Sequence, residues 1–322
     1  MRTRISIVVV AALVAGIAAL VPGLAAAEYP DKPITLLIGF RPGGAVDTTG
    51  RLLAAAMEKE LGQPVVAVTK AGGGGTVMAS TLMTAAPDGY TIGMGASAAY
   101  TLAPQMNEKL RYGIDDFTHI ATVSIPQDAI VVPIKSPWNT LADMVNDAKK
   151  NNKTLSFASQ VSAATLMTMA ITKKTGVKFN VVNVKGGALG IQQVLGGHVD
   201  VTWSGSGSGW NQQVDAGTMK ALASMGSKRN ADYPNLPTLK ELGYDFEFTD
   251  TFMLSAPKGL PKPILDRLSA AVKKATSSPE FEKTLHSKMK LIVDYRDPAE
   301  TVAYLHKQHD VVAPLVQELK KK

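Results

Sequence analysis

Ile34-Thr35-Leu36-Leu37-Ile38-Gly39-Phe40 runs without a break into Arg41-Pro42-Gly43-Gly44. The first seven residues are a short β-rich apolar run, the pattern of a buried strand. Pro-Gly-Gly marks a turn. From about Asp47, Leu52, Leu53, Ala56, Met57 and Leu61 fall on one side of a helix that Gly62 stops. Strand, glycine turn and helix form the unit, and it recurs. Strands are predicted at 65–68, 90–95, 129–132, 155–158, 181–184, 199–203 and 222–225, with one more at 252–256 closed by Pro257. A glycine loop at 71–76 opens a helix through Leu82. Thr140 caps a helix carrying Leu141, Met144, Val145 and Ala148, and another runs over 165–174 to Gly176. Three helices dominate the end, at 264–275, 279–289 and 298–319. The last has Asp297 as N-cap, Pro298 in its first turn and Glu300 completing a capping box. Pro314 is expected to kink or split it. Alternating strands and helices predict βαβ units and largely parallel sheet. Ligands of such sheets sit beyond the carboxyl ends of the strands.

The loops at those ends are rich in glycine and serine. They are 40–47, 71–76, Gly95-Ala96-Ser97-Ala98, Ser159-Gln160-Val161-Ser162-Ala163-Ala164-Thr165, Lys185-Gly186-Gly187-Ala188, and 204–210 ending at Trp210. Glycine lets backbone N–H groups approach a ligand, and helix N-termini carry partial positive charge. Together they can hold a carboxylate or phosphate without a side-chain cation. One such loop alone is an ordinary turn; recurrence after successive strands points to a binding site.

Composition excludes several classes. Charged residues are 19% and hydrophobic ones 45%, the balance of a folded globular protein. At roughly 150 residues per domain, 322 residues suggest two domains. No cysteine is present, which removes disulfides, thiolate catalysis, Fe–S clusters and Cys-type zinc sites. His306 and His309 share a helix face, but no H-E-x-x-H pattern accompanies them, so no metal is expected. Ser206 and Ser208 lie in a glycine run without the elbow, acid and histidine of a serine hydrolase. Gly72 to Gly75 lacks the Gly-Lys-Ser/Thr of a phosphate-binding loop. No enzyme, cofactor or nucleic-acid function is expected, the last because aromatics are 6% and no basic stripe appears. Arg2 and Arg4, an apolar run over 5–20, Pro22-Gly23 and Ala25-Ala26-Ala27 read as a signal peptide over 1–27, cleaved after Ala27.

A family resemblance follows from an ordered set of motifs. They are Tyr29-Pro30-x-Lys32-Pro33-Ile34, Pro42-Gly43-Gly44-x-x-Asp47-x-x-x-Arg51, Leu61-Gly62-Gln63-Pro64-Val65-Val66 and Ala86-Pro87-Asp88-Gly89-Tyr90-Thr91. Gly196-Gly197-His198-Val199-Asp200, Ala216-Gly217, Ala221-Leu222-Ala223, Arg229 and Leu236-Pro237-Thr238-x-x-Glu241-x-Gly243 complete it. In this order they resemble the Bug-type solute-binding proteins of tripartite tricarboxylate transporters, over essentially all of 28–322.

The resemblance implies an α/β, two-lobed, type II periplasmic binding protein. Each lobe has a central mostly parallel sheet flanked by helices, with two hinge crossings near 125–131 and 246–251. Lobe 1 would be 28–126 plus 250–322, and lobe 2 would be 127–249. The implied function is capture of a small carboxylate (a di- or tricarboxylate, acidic amino acid or aromatic acid) in the periplasm. A monomer would then deliver it to a membrane permease of one large and one small subunit. The alternatives are a ligand sensor for a membrane signalling protein and, less favoured, a secreted serine hydrolase. Carried over by position, the ligand-binding candidates are Gly43, Gly44, Ala45 and Asp47 from one lobe, and Ser159, Ser162, Ala163 and Thr165 from the other. Phe40, Arg41, Ser97, Gln160, Gly186, Trp203 and Ser204 join them. Departures lie in or beside the cleft: Val77-Met78, Gln160, Asn183-Val184 and Arg41 stand where the family pattern differs. Arg41 reads equally as a surface residue or a bidentate carboxylate ligand. Asp47 reads first as a helix-start carboxylate that could orient the glycine turn. Trp203 and Trp210 read first as core.

Overall fold

The computed structural model describes residues 29–159 and 162–321. The leader at 1–27 and Gln160 lie outside the described residues. The strands are β1 (Ile34–Ile38), β2 (Val65–Thr69), β3 (Thr91–Ala96), β4 (Phe117–Pro126), β5 (Asp128–Pro133), β6 (Leu155–Ser159), β7 (Phe179–Asn183), β8 (Val201–Gly205), β9 (Met219–Ala223), β10 (Phe252–Pro257) and β11 (Leu291–Arg296). They form two sheets, in the orders β11-β4-β10-β3-β1-β2 and β7-β6-β8-β5-β9.

Both faces of each sheet are covered, which explains why the strands read as unbroken apolar runs. In β1, Ile34, Leu36 and Ile38 face one core with Leu53 and Met57 of the helix Ala45–Leu61. Leu37 faces the other core, with Met78 and Leu82 of the helix Thr76–Met83. In β5, Ile130 and Val132 join one core, and Ala129 and Val131 the opposite one.

The sheets are mixed, not mostly parallel as expected. β1 pairs in parallel with β2 and β3, and β6 with β7 and β8. β10 is antiparallel to β3 and β4, β11 to β4, and β5 to β8 and β9. The cause is the double crossing. β4 runs toward the second sheet and hands over to β5 through Gln127, whereas β10 brings the chain back. Outgoing and returning strands of one sheet must oppose each other.

Two strands were not anticipated. β4, Phe-Thr-His-Ile-Ala-Thr-Val-Ser-Ile-Pro, carries buried His119, Thr122 and Ser124 among its apolar residues. Distant partners satisfy its histidine: His119 Nδ1 is 2.9 Å from Ser255 Oγ and Nε2 is 2.9 Å from the Ile114 carbonyl. Burial lowers the His119 pKa to about 4, which keeps it neutral. β11 is an edge strand of half-buried residues and gives little apolar signal. The strand expected at 222–225 is Met219–Ala223, and the helix expected at 165–174 starts at Ser162.

Pro314 does not divide the last helix, which is continuous over Pro298–Lys320. That helix begins beside the first sheet, where Leu305 is in the core. It ends in the core of the second sheet through Val312, Leu315 and Val316. Packing on both sides of the proline holds the helix together.

Capping is as the sequence suggests for the helix Leu141–Lys150. The Asp143 N–H donates to Thr140 Oγ1 at 3.0 Å, and the Thr140 N–H to Asp143 Oδ2 at 2.9 Å. Thr140→Ala is expected to cost about 1 kcal/mol of stability. Urea melts check this, with ligand affinity unchanged because the cap is remote from the strand-end loops.

Candidate functional site

A cavity of about 480 Å³ lies between the two sheets, within the range of small-molecule sites. Loops of the first sheet contribute Phe40, Gly73 and Gly74, and the short helices after β3 contribute Ala98, Leu102, Ala103 and Met106, of which Leu102 packs in the core of the second sheet. The second sheet's side contributes Ser159, Ser162, Ala163, Thr165, Asn183 and Val184, and Asp250 closes the cavity beside the second crossing. Apart from Asp250, which precedes β10, the contributors follow or end strands. Phe40 follows β1, Gly73 and Gly74 follow β2, Ala98 follows β3, Ser159 ends β6, and Asn183 ends β7.

The polar groups come from local turns. Ser159 Oγ lies 3.1 Å from Thr165 Oγ1, and the Val184 N–H donates to the Ser159 carbonyl at 2.8 Å. Ser162 opens the helix Ser162–Thr175 at the cavity wall. Gly73 and Gly74 have φ of 57° and 66°, the left-handed region that favours glycine. Hydroxyls, an amide and glycine backbone therefore line the cavity, and no Lys, Arg or His does among the described residues.

Asp250 is the one charged group in the lining among the described residues. Its Oδ1 accepts from the Ala98 N–H at 3.0 Å and lies 3.4 Å from Ser97 Oγ. Burial pushes its pKa up to about 6, against the lowering effect of these bonds. Ser97 does not line the cavity. It ties the second crossing to the end of β3: the Thr251 N–H donates to Ser97 Oγ at 3.1 Å, and the Ser97 N–H to the Thr251 carbonyl at 2.8 Å.

The Pro-Gly-Gly turn is held from within. The Gly43 N–H donates to Asp47 Oδ2 at 3.0 Å, and Arg51 Nε pairs with Asp47 Oδ1 at 3.0 Å. Asp47 is 3% exposed and so orients the turn. Arg41, Gly43, Gly44, Ala45 and Asp47 are outside the cavity lining, and Arg41 is exposed. Ala45 instead meets the second lobe: a Cβ placed on Gly207 would lie 2.5 Å from Ala45 Cβ. Gly186, Trp203 and Ser204 are also outside the lining. Trp203 and Ser204 are buried, and the Trp203 side chain bonds to Asp128.

The structure thus gathers Phe40, Ser159, Ser162, Ala163 and Thr165 of the predicted set. It adds Asp250, Asn183, Val184, the glycines of the second loop, and Leu102 and Met106. The glycine run of the second loop and the Asn183-Val184 departure are visible in the sequence; nothing local marks Leu102, Met106 or Asp250. A groove of about 710 Å³ also runs beside β9, past Leu141, Tyr233 and Pro237. It belongs to the second lobe alone and collects none of the strand-end loops.

Known proteins share this architecture. Residues 49–320 match the model of the tripartite tricarboxylate transporter family receptor, TctC. A UPF0065 protein from the gbd 5′ region of Cupriavidus necator is 36% identical over 84% of this chain and 82% of its own. Protein BugT of Bordetella pertussis is 30% identical over 82% of this chain and 81% of its own. The structure of MatC from Rhodopseudomonas palustris with bound malate superposes with a TM-score of 0.75 at 26% identity, covering 89% of this chain and 100% of that one. With the family model spanning most of the sequence, this chain belongs to the tripartite tricarboxylate transporter family receptors, and it is a solute-binding protein rather than an enzyme.

Proposed function

We propose that the protein captures a small carboxylate in the cavity between its sheets and delivers it to a tripartite permease of one large and one small subunit. It acts as a monomer in the periplasm, after removal of the leader at 1–27. One observation carries this reading: the Ser159, Ser162 and Thr165 hydroxyls and the Asn183 amide gather on one cavity, whose lining from the first sheet's loops includes the glycines Gly73 and Gly74. Such donors hold a carboxylate by charge-assisted hydrogen bonds. The malate bound by MatC supports the ligand class. Among the described residues, no helix is long and apolar enough to cross a membrane.

The lobes are 28–126 with 250–322, and 127–249, and the last helix spans both. The ligand settles on one lobe, and closure adds the contacts of the other. Ser159, Ser162 and Thr165 hold the carboxylate, with Gly73 and Gly74 opposite. Phe40 and Val184 flank the ligand body.

Calorimetric titration of ligand-stripped protein with mono-, di- and tricarboxylates, acidic amino acids and aromatic acids tests this. One class is expected to bind. Ser159→Ala is expected to weaken it about 10- to 100-fold, since a hydrogen bond to a charged group is worth about 1.5–3 kcal/mol. Silence across the panel, or undiminished binding to Ser159→Ala, would contradict the reading.

A further inference from the structure

We infer that Asp250 is the counter-charge for an ammonium group on the ligand, so that the cleft takes a zwitterion: one carboxylate, one ammonium and an apolar remainder. This rests on the carboxylate reading above and narrows it.

The charge balance of the cavity leads there. Asp250 lines it, and no Lys, Arg or His does among the described residues. A ligand bringing only carboxylates would place like charges together in a confined site, which strongly disfavours ionisation of both. A ligand with an ammonium removes the conflict and gains a charge-assisted hydrogen bond. Asp250 is arranged for such a partner. Both of its bonds within the protein are made by Oδ1, to the Ala98 N–H and Ser97. Oδ2 remains for the ligand. The carboxylate end has its own donors at Ser159 and Thr165 on the opposite lobe, which gives the ligand a direction across the cleft. Leu102, Met106 and Val184 form apolar wall between them, suited to an apolar body rather than a third charge.

Asp250 also sits where recognition can act on closure. It precedes β10 directly after the second crossing, and Ser97 fastens that crossing to the end of β3. An ammonium bound to Oδ2 therefore pulls on the segment that links the lobes. Its carboxyl, pushed up to about 6 by burial, is mostly ionised at neutral pH. Tyr304 on the last helix is the titratable group that senses Asp250, and burial raises it to about 12, outside that window.

The test is calorimetry on ligand-stripped protein near pH 7.5 with three matched series. Leucine, phenylalanine and glutamate are each compared with their 2-hydroxy analogue, their deaminated acid and their decarboxylated amine. In at least one series the amino acid is expected to bind about tenfold or more tightly than its hydroxy and deaminated analogues, one pair of charges at this depth being worth at least that factor. Asp250→Asn keeps an acceptor for the Ala98 N–H and removes the charge, so it is expected to erase the preference by weakening the amino acid, with the deaminated acid bound at least as tightly as before. If that variant fails to fold, the pH profile of the native protein decides. Amino-acid affinity should fall as the pH drops through about 6, while that of the deaminated acid should hold or rise. Equal or tighter binding of the hydroxy or deaminated acids overturns the inference and leaves the carboxylate reading standing. Binding of the amines alone overturns the carboxylate reading instead. No binding of any amino acid in the panel overturns the inference.

Discussion

Gly207→Val is expected to weaken ligand binding roughly 10- to 100-fold while leaving the free protein's melting temperature nearly unchanged. Gly207 lies in the turn Ser206–Ser208 after β8, and Ala45 starts the helix that follows β1. The two lobes touch here. A Cβ on Gly207 would meet Ala45 Cβ at 2.5 Å, its Cα at 3.5 Å and its backbone N at 3.7 Å. The first distance is one that real Cβ atoms do not show. Overpacking of this kind costs about 1–3 kcal/mol in a site that cannot yield, which gives the stated factor at about 1.4 kcal/mol per decade. The free protein escapes the cost by opening, so its stability is spared. Calorimetry and thermal melts together check both halves. Ala45→Gly placed in a Gly207→Ala background removes the opposing methyl and should restore affinity, a coupling that a double-mutant cycle measures. Undiminished affinity of Gly207→Val would mean that this contact is absent from the liganded form.

The second large effect is on stability against pH. Asp128 begins β5 at the first crossing and is 3% exposed. The Met225 N–H donates to its Oδ1 at 2.8 Å, and the side chains of Trp203 and Ser224 also bond to it. Burial outweighs these donors and raises its pKa to about 7. The folded protein then holds a proton that the unfolded chain releases near pH 4. The stabilisation is complete below the unfolded value and is lost as pH climbs through about 7. A shift of this size corresponds to about 4 kcal/mol at most. Asp250 acts in the same direction, up to about 6. Asp200 acts in the opposite direction: its partial burial is outweighed by Lys153 and Ser156, which hold it below its ordinary value. Its contribution is present at neutral pH and is lost on acidification. Stability should therefore peak in mild acid and decline toward neutrality. Urea melts from about pH 4 to 8 test this. Asp128→Asn, which carries no proton to release, should flatten the decline. A native profile that stays level or rises up to pH 8 would contradict the account.

The fold was legible wherever a strand is apolar on both faces and ends in a glycine turn. β1 announces itself in this way, and β3, β5 and β6 do so by their apolar runs alone. β4 does not, because His119 and Ser255 satisfy each other across 136 positions, and no local pattern records such a partner. The mixed sheets were illegible for a related reason. The direction of a returning strand depends on two crossings, not on the strand's own residues. At the site, Phe40, Ser159, Ser162 and Thr165 were legible as strand-end residues. The Pro-Gly-Gly turn carried the strongest motif, yet its parts serve one another: Asp47 accepts from Gly43 and pairs with Arg51. Asp250 escaped notice because its role comes from Ala98, 152 positions away, and a lone Asp between Thr249 and Thr251 has no signature.

The most direct test is a crystal structure of the protein with the carboxylate that binds most tightly in the titrations. The account predicts density in the cavity between the sheets, with the carboxylate against Ser159 and Thr165 and the lobes in contact at Ala45 and Gly207. Ligand density in the groove beside β9, or a cleft left empty at saturating ligand, would contradict it.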